Sequence, residues 1–221
     1  MKINKAFVVA FFSALLLVFS LNVSHAYTSK LSYHSPVTHL KNFVSTNNKV
    51  AKGAENFIDS MGKRAITFLD SDMSQERKER EFRKLLKDSF DLTTIGRFSL
   101  GRHWRVASDS QKKEYQKLFE DLIVDVYSQR FGEYKGQALA IRSSRSENEK
   151  DTIVQSFIVD DNGAEFSVDW RVRFKNGRYR IIDVIIEGVS MSLTQRSDFS
   201  SVIQRGGGNV DVLIAHLKGQ N

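Results

Sequence analysis

The spacing of apolar positions changes twice along the chain, from a helical period to a period of two and back. Between residues 37 and 69 it is helical, most clearly at Ala54, Phe57, Ile58, Met61, Ala65 and Leu69. The charged stretch "SDMSQERKEREFRKLLKDSF" keeps that period in a narrow stripe of Phe82, Leu85, Leu86 and Phe90. "DLTTIGRFSLGRHWR" follows, with Ile95, Phe98, Leu100 and Trp104 set among glycines and arginines. The clearest helix opens on Ser108 and Gln111, spaced as a capping box. Behind them Tyr115, Leu118, Phe119, Leu122, Ile123, Val126 and Tyr127 recur at helical spacing, which makes one face apolar throughout.

Over residues 132–136 the period drops to two. "QALAIRSSR", "DTIVQSFIVD", "AEFSVDWRVRF" and "RYRIIDVIIEG" read as four strands, and "DNG" and "KNG" between the last three read as hairpin turns. In the third strand Phe166, Val168, Trp170, Val172 and Phe174 face one way, while Glu165, Ser167, Asp169, Arg171 and Arg173 face the other. Strict alternation in the fourth puts Ile182, Val184 and Ile186 on one side and Tyr179, Ile181 and Ile185 on the other. "LTQRSDFSSVIQR" and "NVDVLIAHLK" then predict two short helices, broken at Gly206, Gly207 and Gly208. The order predicts an α+β fold: N-terminal helices on a curved four-stranded antiparallel sheet, then C-terminal helices. A strand that is apolar on both sides is either sandwiched between layers or borders a cavity. Periodicity leaves both a solid core and a cavity open.

The ends add an address. Lys2, Lys5, an apolar run and "SHA" predict a signal peptide over 1–26, cleaved after Ala26. A polar arm or the start of the first helix is expected over 27–49, the folded domain over 50–217, and a tail over 218–221. The chain has no cysteine. That excludes a lipid-anchored cysteine, thiol catalysis and cysteine-ligated metals. A net charge of +7, reduced by two when Lys2 and Lys5 leave, suits anionic membrane surfaces or acidic proteins. An exported chain with no base-stacking motif or concentrated basic run argues against nucleic acid.

Candidate chemistry is sparse. His25, His34, His39, His103 and His216 show no metal-ligand spacing, so no metal is expected. The three glycines lack the Lys-Ser or Lys-Thr of a phosphate loop. Asp169 falls on the polar face, and Asp183 is the one carboxylate placed to act as a buried base. No serine sits in a nucleophile elbow, and no catalytic residue is expected.

"EGVSM" after an apolar strand, followed by "LTQRSDF", resembles the signature of the MlaC family, the toluene-tolerance auxiliary proteins. "IGRFSLGRHWRVASDSQKKEYQKLFEDLIVDVYSQRFGEYKG" carries a second part of that pattern in the correct order. The resemblance implies a soluble, monomeric periplasmic carrier of glycerophospholipids that helps to maintain outer-membrane lipid asymmetry. Its implied partners are an inner-membrane ABC transporter bearing MCE domains and an outer-membrane lipoprotein–porin complex. It implies two intertwined subdomains, one NTF2-like, with an apolar pocket for acyl chains and no cofactor beyond the cargo. On that implication Leu100, Trp104, Leu122, Val126, Tyr127, Val168, Trp170, Val172, Val184, Ile186, Val189 and Met191 form the pocket wall and rim. Arg97, Arg102 and Arg105 are then candidates for partner docking. Two rival readings are an NTF2-like enzyme using Asp183 on a small apolar ligand, and a periplasmic interaction protein with a solid core.

Overall fold

The computed structural model describes residues 40–160 and 163–219. The expected leader, 1–26, lies outside them, as do residues 27–39 of the arm. The order is α1 (Leu40–Leu69), α2 (Gln75–Ser89), α3 (Leu92–Leu100), a 3-10 turn (Gly101–Arg105) and α4 (Asp109–Ser128). Strands β1 (Ala138–Ser146), β2 (Asp151–Val159), β3 (Glu165–Lys175), β4 (Arg178–Ile186) and β5 (Val189–Ser190) follow, and α5 (Met191–Arg205) and α6 (Val210–Lys218) close the chain. The expected capping box is present. Gln111 N donates to Ser108 Oγ at 3.2 Å, and Ser108 N donates to Gln111 Oε1 at 2.9 Å.

The sheet is an antiparallel meander of five strands in sequence order, one more than expected. β5 has two residues, too few for periodicity to register. Glu187 and Gly188 make the turn before it, with φ of 49° and 80°, the positive pair a type I′ hairpin requires. Asn176 and Gly177 repeat that geometry in the expected "KNG" turn. Where β5 stops short, Asp91 N donates to Ile181 O at 2.9 Å and covers the edge of β4.

The expected alternation of β4 is interrupted. Its register with β3 shifts, pairing Arg171 with Asp183 but Val172 with Ile181, so Ile182 is a bulge. Tyr179 and Ile181 therefore share the face of Val184 and Ile186 instead of opposing it.

Two clusters of buried side chains hold the fold. In the first, Ala54, Ile58 and Met61 of α1 pack with Val154, Val168, Val172 and Ile181 of the sheet. In the second, Leu100, Tyr115, Leu118 and Phe119 pack with Phe199, Ile203, Leu213 and Leu217, so helices before and after the sheet meet. Each fully buried aliphatic side chain stabilises by roughly 1.5–3 kcal/mol. Tyr115 anchors the second cluster. Its ring centroid lies 5.9 Å from Phe119 and 5.8 Å from Phe199, and its hydroxyl donates to Gly96 O at 2.9 Å.

Candidate functional site

The sheet and helices do not close completely. A cavity of about 290 Å³ remains, bordered by residues that belong to or pack against both clusters. α1 contributes Met61, Gly62, Ala65, Ile66, Phe68 and Leu69, and α2 with its C-terminal neighbour contributes Phe82, Leu85, Leu86 and Phe90. Leu92, Ile95 and Ser99 come from α3, and Phe119, Ile123 and Tyr127 from α4. The sheet supplies Leu139, Ile158, Trp170, Asp183, Val184 and Ile186, and α5 supplies Met191, Ser192 and Gln195. Phe131 closes one part of the wall, with ring centroids 5.4 Å from Phe82 and 5.9 Å from Phe68. The lining is overwhelmingly apolar, as a space for hydrocarbon must be.

Polar groups enter this lining in two places. Glu133, Tyr134 and Gln137 come from the segment before β1, with Glu133 Oε2 3.6 Å from Arg130 Nη1. Asp183, Ser192, Gln195 and Ser99 come from β4, α5 and α3. Asp183 is nearly sealed from solvent, and both its oxygens are occupied. Oδ1 accepts from Val184 N at 3.0 Å and Ser192 N at 3.1 Å, and Oδ2 accepts from Ser190 Oγ at 2.6 Å. The carboxylate thus ties the first turn of α5 to β4, opposite the positive end of the helix dipole. That is a structural role, and it accounts for the abrupt end of the strand. The Glu187–Gly188 turn reverses the chain, and Asp183 fixes the helix that starts immediately after β5.

Of the residues expected at the wall or rim, Tyr127, Trp170, Val184, Ile186 and Met191 border the cavity. Burial pushes the Tyr127 phenol above its ordinary range. Val168 and Val172 are fully buried in the first cluster beneath α1, so their side chains stop short of the space that the Trp170 indole reaches. Leu100 belongs to the helical cluster, and Leu122 and Trp104 pack against it, the latter with Lys112 Nζ 5.8 Å from its ring. Val126 is half-buried away from the cavity lining, and Val189 is exposed on β5. The wall contributed by α1 and α2 was not assigned from sequence. Its signal was the two stripes already legible as apolar faces, Met61, Ala65 and Leu69 on one helix and Phe82, Leu85 and Leu86 on the other.

The three arginines lie on α3 and the 3-10 turn that follows it. Arg97, Arg102 and Arg105 are exposed and form no ion pair with the described residues. Phe98 among them is also exposed, with the Arg196 guanidinium 5.3 Å from its ring. His103, by contrast, is buried, and desolvation together with the Arg102 charge holds its pKa below the usual range. The unfolded chain therefore binds this proton more readily, and stability falls as pH drops through about 6.5 toward the folded value. Melting temperature is expected to decline from pH 7 to pH 5 in the wild type and to decline less in His103→Gln. Equal slopes in the two proteins would remove His103 as the cause.

Among the described residues no group of acidic, histidine or cysteine side chains is placed to hold a metal ion, and no helix is long and apolar enough to cross a membrane.

A family model described as "MlaC protein" matches residues 59–219. Over 119 residues the chain is 23% identical to the toluene tolerance protein ttg2D of Pseudomonas putida, covering 54% of this chain and 55% of that one. Over 132 residues it is 25% identical to the intermembrane phospholipid transport system binding protein MlaC of Haemophilus influenzae, covering 58% and 61%. The chain thus spans little more than half the length of these curated relatives. Among solved structures, a phospholipid-binding protein from Ralstonia solanacearum, determined in complex with a phospholipid, has a TM-score of 0.66 and 22% identity. The superposition covers 75% of this chain and 95% of that one, a likeness of fold.

Proposed function

The chain belongs to the MlaC family, and from that premise we propose that it binds the acyl chains of a glycerophospholipid in the cavity between sheet and helices and carries the lipid across the periplasm. The observation that supports this most is the apolar space itself, left open in a fold with enough aromatic and aliphatic side chains to fill it. Hydrocarbon needs such cover. Each CH₂ is worth about 0.8 kcal/mol, so a lipid with roughly 30 methylenes costs on the order of 20 kcal/mol to expose to water. The cavity volume sits at the lower edge of the range of about 300–1,000 Å³ for small-molecule pockets. Two full chains then require half-buried wall residues such as Phe82, Phe90 and Met191 to swing aside on loading.

On this reading the protein performs no chemistry on its cargo. It exchanges lipid with an MCE-bearing ABC transporter complex at the inner membrane and a lipoprotein–porin complex at the outer membrane, and so serves outer-membrane lipid asymmetry. Residues 50–217 act as one lipid-binding domain, its sheet core and helical core being the two intertwined parts. Arg97, Arg102 and Arg105, exposed and without an ion pair among the described residues, serve docking together with the exposed Phe98. Arg102→Glu with Arg105→Glu is expected to slow transfer between liposomes bearing the two partner complexes by about tenfold. High salt should slow the wild type in the same way, because the Debye length is about 8 Å at physiological ionic strength. Lipid bound at purification should not change. Normal transfer by the double variant, together with a salt-insensitive wild type, would remove these arginines from docking.

A further inference from the structure

Ser99 is fully buried on α3, borders the cavity, and its Oγ has no hydrogen-bond partner among the described residues. Helical serines ordinarily return their hydroxyl to a carbonyl one turn back, as Ser60 does to Asn56 O at 2.7 Å. Ser99 does not. A buried hydroxyl without a partner is destabilising in the free protein, so one that persists at a cavity wall points to a ligand atom as its acceptor.

The surroundings define that acceptor. α3 packs against α5, whose Ser192 and Gln195 belong to the same lining. Ser190 Oγ gives its proton to Asp183 and takes that of Ser192 at 3.3 Å, so Ser99 Oγ and the Gln195 amide are the neutral donors left to the cavity. The Asp183 carboxylate is in the lining as well. A carboxylate in the lining disfavours a second anion, a phosphate or a free carboxylate, and leaves a neutral oxygen as the suitable partner. A glycerophospholipid offers such an oxygen at the junction of its polar and apolar parts, the carbonyl of an acyl ester.

We infer that Ser99 donates a hydrogen bond to an ester carbonyl of the cargo, so that the cavity selects ester-linked over ether-linked lipid. This rests on the carrier reading and adds to it a register. The glycerol esters lie at the α3–α5 part of the cavity, and the chains run on toward the Phe82–Phe131 wall.

The test loads the mature protein from an equimolar mixture of a diacyl phosphatidylglycerol and the dialkyl ether lipid of the same head group and chain length, read by native mass spectrometry. The wild type is expected to favour the ester lipid by about three- to tenfold, the worth of one neutral hydrogen bond. Ser99→Ala should lose that preference, and Ser99→Thr should keep most of it. Because Oγ has no partner among the described residues, Ser99→Ala should melt no lower than the wild type, which separates a ligand contact from a structural one. A wild type that takes both lipids equally, or a Ser99→Ala variant that keeps the preference, overturns the inference and leaves the carrier reading standing. Failure of both lipids to load overturns the inference and the carrier reading together.

Discussion

Replacing Ala65 with Trp is expected to strip the protein of most of its lipid while the fold remains. Ala65 lies on α1, half-buried, with its side chain on the cavity lining. An indole there takes a large share of the 290 Å³ that acyl chains would use. The expected loss is at least about tenfold in bound lipid, equivalent to about 1.4 kcal/mol of affinity. Stability should change little, because the added ring occupies existing space instead of displacing packed neighbours. Val168→Trp is the contrasting control. Val168 is fully buried between α1 and the sheet, so the same bulk has nowhere to go and should cost about 1–3 kcal/mol. Lipid content and melting temperature measured on both variants decide it. An Ala65→Trp protein that keeps its full complement of lipid would mean that the cavity is not where the chains lie.

Asp183→Ala should produce the largest loss of stability among substitutions at this site. It removes the acceptor for Val184 N, Ser192 N and Ser190 Oγ together and frees the start of α5 from β4. A buried donor left unsatisfied costs about 1–3 kcal/mol, and partial rescue by relaxation and water brings the expected total to about 3 kcal/mol. For a chain of this size that lowers the melting temperature by about 6–12 °C. Asp183→Asn keeps one acceptor oxygen and should lose less. A chain in which Asp183→Ala melts within about 2 °C of the wild type would not depend on this cap.

Much of the architecture was legible because it rests on local patterns. The Ser108–Gln111 box, the Asn176–Gly177 turn and the alternating third strand each lie within a few residues, and the structure has all three. The bulge at Ile182 was not legible. Strict alternation assigns Tyr179 and Ile181 to the face opposite Val184, and only the tertiary register with β3 reveals the extra residue. β5 escaped because two residues carry no period, and only its pairing with Ile185 and Ile186 defines it as a strand.

The cavity wall was legible only in part for a different reason. An apolar stripe says which face of an element leaves water, not whether the space it faces is filled. Val168 and Trp170 share a strand face, yet one ends in packed core beneath α1 and the other reaches the cavity. The stripes on α1 and α2 read as ordinary core for the same reason. Ser99 was invisible from sequence, since a serine in "GRFSLG" has no feature that distinguishes a solvated hydroxyl from a buried one.

The central claim, that the apolar cavity holds glycerophospholipid, is tested most directly by native mass spectrometry of the protein without residues 1–26, purified without detergent. The account predicts a mass increment that organic extraction identifies as a phospholipid with two or more acyl chains, reduced in Ala65→Trp. An apo mass alone, under conditions in which known lipid carriers retain their cargo, would contradict it.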